Sequence, residues 1–148
     1  MTRLLVVEDD RDQGATIVDI FKGVGYEVRI ASDGRNGLLI CRSWCPDVLI
    51  TDLIMPEMEG IDLIRSIDSC QWQPLIIAIS GGGAGDRKRR EELADCSLET
   101  ARLLGAVLTF AKPIDCARLL CQVKALVEAP AQVPRQAYQR PIPHGSVD

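Results

Sequence analysis

Residues 46–60 read Pro-Asp-Val-Leu-Ile-Thr-Asp-Leu-Ile-Met-Pro-Glu-Met-Glu-Gly and indicate the fold more clearly than any other part of the chain. The run 48–51 is short, aliphatic and β-branched, which is typical of a strand covered on both faces in a parallel sheet. Asp52 follows at its carboxyl end, before a loop punctuated by Pro56 and Gly60. Ligands of open α/β sheets bind outside the carboxyl ends of strands, so Asp52 is a candidate for chemistry. The alternative at this point is an ordinary turn-forming or helix-capping aspartate.

Strand-like and helix-like segments alternate along the rest of the chain. The predicted strands, from apolar runs or period-two alternation, are residues 4–7, 26–30, 48–51, 75–79 and 106–110. The predicted helices lie before Gly25, from about 34 to 44, from 60 through 67, from an N-cap at Asp86 to about 104, and from 114 to 128. This alternation predicts right-handed βαβ crossovers and a parallel sheet with helices on both faces, the 26–30 strand lying at an edge.

Length, composition and charge fit one globular domain. The 148 residues are 47% hydrophobic and 26% charged, which is sufficient for a core. A net charge of -4 gives no general attraction to nucleic acid or to an anionic membrane. No apolar stretch approaches the roughly 18 residues of a membrane span, and no signal-peptide cleavage site follows Met1. We therefore expect an unexported, cytoplasmic protein that binds neither membrane nor nucleic acid directly.

The cysteines and the last twenty residues carry no functional pattern. The six cysteines match no zinc or redox spacing, so we expect them to be reduced and mostly buried as small hydrophobic residues. Residues 129–148 contain four prolines among small and polar residues without periodicity. We expect a domain at residues 1–128, followed by a Pro-rich, disordered tail at 129–148.

Polar residues follow four of the predicted strands. Parallel strands bring such residues to one edge of the sheet, and here they are Glu8, Asp9, Asp10, Asp52, Ser80 and Lys112. Clustered carboxylates are tolerated chiefly around a divalent cation, and oxygen ligands without thiolate or imidazole favour Mg²⁺. Mg²⁺ also takes phosphate oxygens, so the site suits a phosphoryl group contacted by the lysine and the serine. A carboxylate can itself accept the phosphoryl group, as an aspartyl phosphate.

Four motifs at these strand ends resemble the response-regulator receiver domain, the phosphoacceptor of two-component signalling. They are Leu-Leu-Val-Val-Glu-Asp-Asp at 4–10, the stretch at 46–60, Ile-Ser-Gly at 79–81 and Ala-Lys-Pro at 111–113. Each motif is weak alone, whereas the four in this order are highly specific. The resemblance covers residues 3–128 and implies a flavodoxin-like, doubly wound (βα)5 fold with a five-stranded parallel sheet of order 2-1-3-4-5.

The resemblance implies a phosphoacceptor and a metal site. By it, Asp52 is phosphorylated by a histidine kinase or histidine phosphotransferase, with Mg²⁺ as cofactor. Asp9 binds the metal directly and Glu8 assists, while Asp52 and the backbone carbonyl of Ile54 supply further ligands. Asp10 is the alternative ligand if the first strand ends one residue later.

The resemblance also implies a switch, and here the chain departs from the family pattern. Ser80 follows the phosphoryl group as the conformational switch, and Lys112 pairs with it, oriented by a cis bond to Pro113 of the kind kept in tight turns. The position three before the lysine, often aromatic in receivers, is Thr109, and Phe110 is predicted on the opposite face of the strand. The aromatic readout typical of the family is therefore not expected here.

A second departure is the length of the stretch from Ser80 to Lys112. It exceeds the family's usual length by roughly two to three helical turns and contains a glycine run and the basic run at 87–90. Because Glu91 and Glu92 follow at once, we interpret the basic run as a solvated helix face. Receivers use this region for output, so we expect it to determine partner choice.

The leading interpretation is a stand-alone receiver, monomeric or weakly dimeric, that switches an unknown downstream protein, with no effector domain after Glu128. The first alternative is a haloacid-dehalogenase-like phosphatase, an enzyme that would carry a second aspartate where this chain has Ile54. The second alternative is a pseudo-receiver interaction module that works without phosphorylation. The intact set of Asp52, Ser80 and Lys112 favours the receiver, which catalyses only its own phosphoryl transfer and autodephosphorylation.

Overall fold

The computed structural model describes residues 1–55, 58–67, 72–81 and 87–129, except the side chains of residues 90, 93 and 94. Its strands are β1 (Arg3–Val7), β2 (Glu27–Ala31), β3 (Val48–Asp52), β4 (Leu75–Ser80) and β5 (Leu108–Ala111). Its helices are α1 (Arg11–Gly23), α2 (Gly34–Trp44), α3 (Gly60–Ile67), α4 (Arg87–Leu103) and α5 (Cys116–Glu128). All strand pairs are parallel and the order is β2-β1-β3-β4-β5, which confirms the predicted topology.

The sheet divides the core into two layers, because successive residues of a strand point to opposite faces. On β1, Leu5 and Val7 face a layer closed by α2, α3 and α4, whereas Leu4 and Val6 face a layer closed by α1 and α5. Every residue of β3 and β4 is buried, so the apolar runs in the sequence are explained by cover on both faces. Burial of each large aliphatic side chain contributes about 1.5–3 kcal/mol, and this sum holds the strand ends in place.

The predicted edge strand is β2, one residue later than residues 26–30. Val28 packs on the α1–α5 layer and Ala31 is buried in the other layer, as alternation predicts. Ile30 is 46% exposed although it shares the face of Val28, and its Cδ1 lies beside Gly14 of α1. The edge strand is therefore confirmed, but on the face that packs against α1 the Ile30 side chain remains partly exposed to solvent.

Two predicted boundaries near the carboxyl end of the chain are wrong by two residues. β5 begins at Leu108 rather than 106, because the N–H of Ala106 still donates to the Ala101 carbonyl at 2.9 Å in the turn after α4. α5 begins at Cys116 rather than 114, because Asp115 caps it by accepting a hydrogen bond from the Arg118 N–H at 3.1 Å. The N-cap predicted at Asp86 and, apart from Ala129, the tail predicted at 129–148 lie outside the described residues.

The five described cysteines are free thiols, but the expectation that most are buried is wrong. Cys41 is buried, Cys45 and Cys116 are half-buried, and Cys96 and Cys121 lie exposed on α4 and α5. The exposed pair occupies the outward faces of two helices that bury only one stripe each. Cys70 lies outside the described residues.

The described helices offer no membrane span, since none of them is both long enough and apolar enough to cross a bilayer.

Gly60 lets the chain return close to the end of β3. A Cβ built at this glycine would meet the backbone carbonyl oxygen of Asp52 and would lie 2.7 Å from the Leu53 Cα. The Gly60 N–H also donates to the Leu53 carbonyl at 3.1 Å. A side chain at this position therefore requires the backbone beside Asp52 to move.

We expect Gly60→Ala to lower the free energy of unfolding by about 1–3 kcal/mol, because the added methyl group overpacks a backbone contact. Urea unfolding followed by circular dichroism would measure it. Gly23→Ala is the matched control: it lies at the end of α1 with nothing within 4 Å of the added Cβ. The control should be neutral or stabilising by up to about 1 kcal/mol. Equal effects of the two substitutions would contradict the argument.

Candidate functional site

Three carboxylates converge at the carboxyl ends of β1 and β3. Val7 pairs with Thr51 in the sheet, so Glu8, Asp9 and Asp52 leave neighbouring strand ends together. One carboxylate oxygen from each of the three lies within 4.8 Å of those of the other two. Glu8 and Asp52 are each 3% exposed, whereas Asp9 is exposed. The result is an acidic pocket with two buried carboxylates and one at its mouth.

Lys112 brings a cation to this pocket from the end of β5. Its Nζ donates to Asp52 Oδ2 at 2.6 Å and to Glu8 Oε1 at 3.3 Å. Its backbone N–H donates to the Ser80 carbonyl at 3.0 Å, and its peptide bond to Pro113 is cis, as predicted. Strand ends β1, β3, β4 and β5 are thus joined through one lysine.

The second carboxylate oxygen of Asp52 is also engaged. Its Oδ1 accepts a hydrogen bond from the Ile54 N–H at 3.2 Å. Ile54 lines the acidic pocket, which has a volume of about 300 Å³, together with the three carboxylates, Asp10, Gly81 and Lys112. The backbone of Ile54 is therefore beside Asp52, and its carbonyl as a metal ligand stays a prediction.

Asp10 has a structural role that separates it from the three converging carboxylates. It is the N-cap of α1, where its Oδ1 accepts from the N–H groups of Asp12 at 3.0 Å and Gln13 at 3.2 Å. Its own N–H donates to Glu8 Oε1 at 3.2 Å. β1 ends at Val7, directly before Glu8. Asp10 connects the Glu8 side chain to the start of α1 through these hydrogen bonds.

Burial and like charge shift the titration of the pocket. Burial raises the pKa of Glu8 to about 7, and the nearby Asp52 charge adds to this, while Lys112 and the Asp10 N–H oppose it. Burial alone would lower the pKa of Lys112, but the hydrogen bond and charge of Asp52, with those of Glu8, raise it instead. One ammonium therefore leaves the buried carboxylates incompletely compensated.

The donor set fits a hard divalent cation. All three candidate ligand groups are carboxylates, and no described histidine or cysteine joins them. Burial first, and then the Asp52 charge, raise the pKa of Glu8, and a bound cation would offset the cost of ionising it. Glu8, Asp9 and Asp52 would hold such an ion.

Ser80 and Lys112 also line a larger cavity, which we call the α4 cleft. It has a volume of about 560 Å³ and lies between Ser80, Gly81 and Lys112 on one side and Arg87, Glu91 and Asp95 on the other. Ser80 itself is fully buried. The cleft shares Gly81 and Lys112 with the acidic pocket, so the two cavities adjoin.

Thr109 and Phe110 lie on opposite faces of β5, as the sequence predicted. Phe110 packs in the α1–α5 layer, whereas Thr109 Oγ1 accepts hydrogen bonds from Arg102 Nε at 3.1 Å and Nη2 at 2.7 Å. Sequence reasoning missed Arg102. Its signal was an arginine in the last turn of a helix, seven residues before a polar position in the following strand.

The fold and this site define the receiver class. The family model for the response regulator receiver domain matches residues 4–124, and the chain belongs to that family. It is therefore a signalling module of the kind found in two-component systems.

Individual relatives agree with this assignment. A response regulator receiver protein of Anaeromyxobacter sp. (strain Fw109-5) is 33% identical over 120 residues, which is 81% of this chain and 46% of the relative. The response regulator ArlR of Staphylococcus saprophyticus is 27% identical over 89% of this chain and 55% of its own length. The chain thus spans about half the length of these relatives.

Solved structures agree as well. The signal receiver domain of a response regulator from Bermanella marisrubri is 31% identical, with a TM-score of 0.73 over 86% of this chain and 99% of that one. A response regulator receiver domain protein from Clostridium thermocellum is 26% identical, also with a TM-score of 0.73, over 86% and 94%.

Glu8 should make the stability of the metal-free protein depend on pH. Its pKa rises from an ordinary 4.5 to about 7 on folding. The associated stability is therefore present in full below pH 4.5 and lost as pH rises to about 7. Relative to Glu8→Gln, we expect wild type to lose up to about 3 kcal/mol of unfolding free energy across this range.

Urea unfolding in the presence of a chelator measures this difference. Glu99→Gln, on the exposed face of α4, is the control and should keep the wild-type dependence. Parallel curves for wild type and Glu8→Gln would show that Glu8 is not the responsible group.

Proposed function

We propose that this receiver domain, residues 1–128, accepts a phosphoryl group on Asp52 from a histidine kinase or histidine phosphotransferase. The observation that carries the proposal is the contact of 2.6 Å between Lys112 Nζ and Asp52 Oδ2 inside a pocket of carboxylates. A buried carboxylate held by a lysine beside a cation site is equipped to become an acyl phosphate.

In the transfer, an Asp52 carboxylate oxygen forms a bond to phosphorus. The phosphorus–nitrogen bond of the phosphohistidine breaks, and its electron pair returns to the imidazole. Lys112 is already within hydrogen-bond distance of Asp52 Oδ2 and follows the charge onto a phosphoryl oxygen. The Ile54 N–H, at 3.2 Å from Oδ1, holds the carboxylate in one orientation.

The metal of this proposal is Mg²⁺. Asp9 and Glu8, with Asp52 and the Ile54 carbonyl, would hold it, because its preferred ligands are oxygens. When bound, it supplies positive charge that stabilises the phosphoryl oxygens during transfer. The carboxylates would hold the metal, and Lys112 would compensate negative charge on the phosphoryl group.

Ser80 is the proposed switch. Its hydroxyl lies at the end of β4, in a residue that lines the same cavity as Lys112. A phosphoryl oxygen would draw this hydroxyl toward the acidic pocket and shift the population of conformers at the α4 cleft. Output is then a change in protein–protein contacts at this surface.

The partners and the cellular setting belong to the same proposal. The DNA-binding response regulator MtrA of Mycolicibacterium paratuberculosis is 31% identical over 75 residues, 51% of this chain and 33% of MtrA. We propose that the present domain acts instead through an unknown downstream protein, as a monomer or weak dimer without direct nucleic-acid contact. The phosphodonor is charged from ATP, so we place the relay in the cytoplasm.

Incubation with acetyl phosphate and Mg²⁺ should add the mass of one phosphoryl group to the intact protein. Asp52→Ala should abolish the addition, because it removes the acceptor oxygen. Asp62→Ala removes a carboxylate from the first turn of α3 and is the control, which should be phosphorylated like wild type. Intact-mass spectrometry measures all three. Phosphorylation that persists in Asp52→Ala would refute the assignment of the acceptor.

Ile54 should prolong the life of the phosphoryl group. Its apolar side chain lines the acidic pocket and cannot orient an attacking water. Ile54→Asn should therefore shorten the phosphoryl lifetime by roughly tenfold or more, since a polar side chain can position that water. Decay of the phosphorylated mass after removal of acetyl phosphate measures it. Ile54→Val should stay close to wild type, and an unchanged or longer lifetime in Ile54→Asn would show the idea to be wrong.

A further inference from the structure

The first turn of α4 carries cations where helices favour acids. Arg87, Lys88 and Arg89 open the helix, all three are exposed, and no acidic residue shares the turn. The amino terminus of a helix has a partial positive charge, so these cations are electrostatically disfavoured there. This unfavourable position makes the three cations candidates for a role outside the helix.

Among these three, only Arg87 lines the α4 cleft. It stands across the cleft from Ser80 and Lys112, and the cleft adjoins the acidic pocket through Gly81 and Lys112. Lys112 in turn contacts Asp52 directly. A group added to Asp52 would enter the acidic pocket, which adjoins the cavity that Arg87 borders.

Arg87 is at present paired with an acid of its own helix. Its Nε donates to Glu91 Oε1 at 3.0 Å, one turn further along α4. The side chains are 88% and 64% exposed, and such pairs contribute little because water competes for both partners. The pair is therefore easily exchanged for a stronger one.

We propose that Arg87 is a phosphoryl-contacting residue, which leaves Glu91 and binds the phosphoryl group on Asp52. The phosphoryl group brings up to two negative charges and three acceptor oxygens. Guanidinium binds such oxygens in a bidentate manner. The same negative charge repels Glu91. The phosphoryl group therefore both weakens the Arg87–Glu91 pair and attracts the Arg87 guanidinium. This exchange draws the amino end of α4 over the cleft, and it rests on phosphorylation of Asp52.

Beryllofluoride with Mg²⁺ is the probe, as a stable mimic of the phosphoryl group, and ¹⁹F NMR titration gives its apparent affinity. Arg87→Gln should weaken binding by about three- to tenfold. Glu91→Gln should tighten it, because it frees Arg87 from its present partner. Lys88→Gln is the control, because it removes a positive charge from the same helical turn at a residue that does not line the cleft. It should leave the affinity within about twofold of wild type.

A second readout follows Arg87 itself. Its Nε–H resonance should shift when beryllofluoride binds to wild type. Long-range attraction by the Arg87 charge could change the affinity without such a shift. Equal weakening in Arg87→Gln and Lys88→Gln, or weaker binding in Glu91→Gln, would overturn the contact. Normal wild-type binding that Arg87→Gln leaves unchanged overturns this inference alone. A wild type that binds no beryllofluoride overturns the proposed phosphoacceptor as well.

Discussion

One partly buried ion pair, between the Lys112 ammonium and the Asp52 carboxylate, is the interaction on which the site depends. Parallel pairing forces the ends of β1 and β3 together, so Glu8 and Asp52 become buried neighbours of like charge. Such burial is costly without a counter-charge. Lys112 offsets part of the cost from the end of β5, and the raised pKa of Glu8 marks the remainder. A cation bound between the carboxylates would offset that remainder, and the proposed phosphoryl transfer makes use of it.

Most of the fold and the centre of the site were predictable because both follow from short-range rules. Aliphatic runs such as 48–51 identify buried parallel strands, and the strand ends then place Asp52 and Lys112 together whatever their distance in sequence. Helix starts and side-chain exposure were less predictable. The start of α5 depends on the cap at Asp115, and Cys96 and Cys121 are exposed because helix rotation, not residue type, decides which stripe is buried.

The contacts of the two α4 arginines could not be predicted from the local sequence, because both depend on how the helix lies against the sheet. Arg102 finds Thr109 only after the turn at Gly105 folds the strand back along the helix. Arg87 borders the α4 cleft only once β4 and β5 set the position of the helix. Near its last turns α4 buries Leu98 and Ala101, whereas the described side chains of its first turn are exposed. One end of the helix is therefore fixed by the core, and the described side chains of the other end have no such anchor.

The Arg102–Thr109 contact has a consequence for fidelity among pathways. A cell with many receivers of one fold must keep each from answering to another's partner, and discrimination is strongest where the wrong partner meets an unfavourable contact. A protein that recognises an aromatic ring at this position of β5 finds here a hydroxyl already occupied by a guanidinium. The pair is exposed, so water can replace either partner; what such a protein loses is the apolar contact that a ring would have given. Thr109 therefore gives a protein that reads a ring at this position less contact area than an aromatic side chain would.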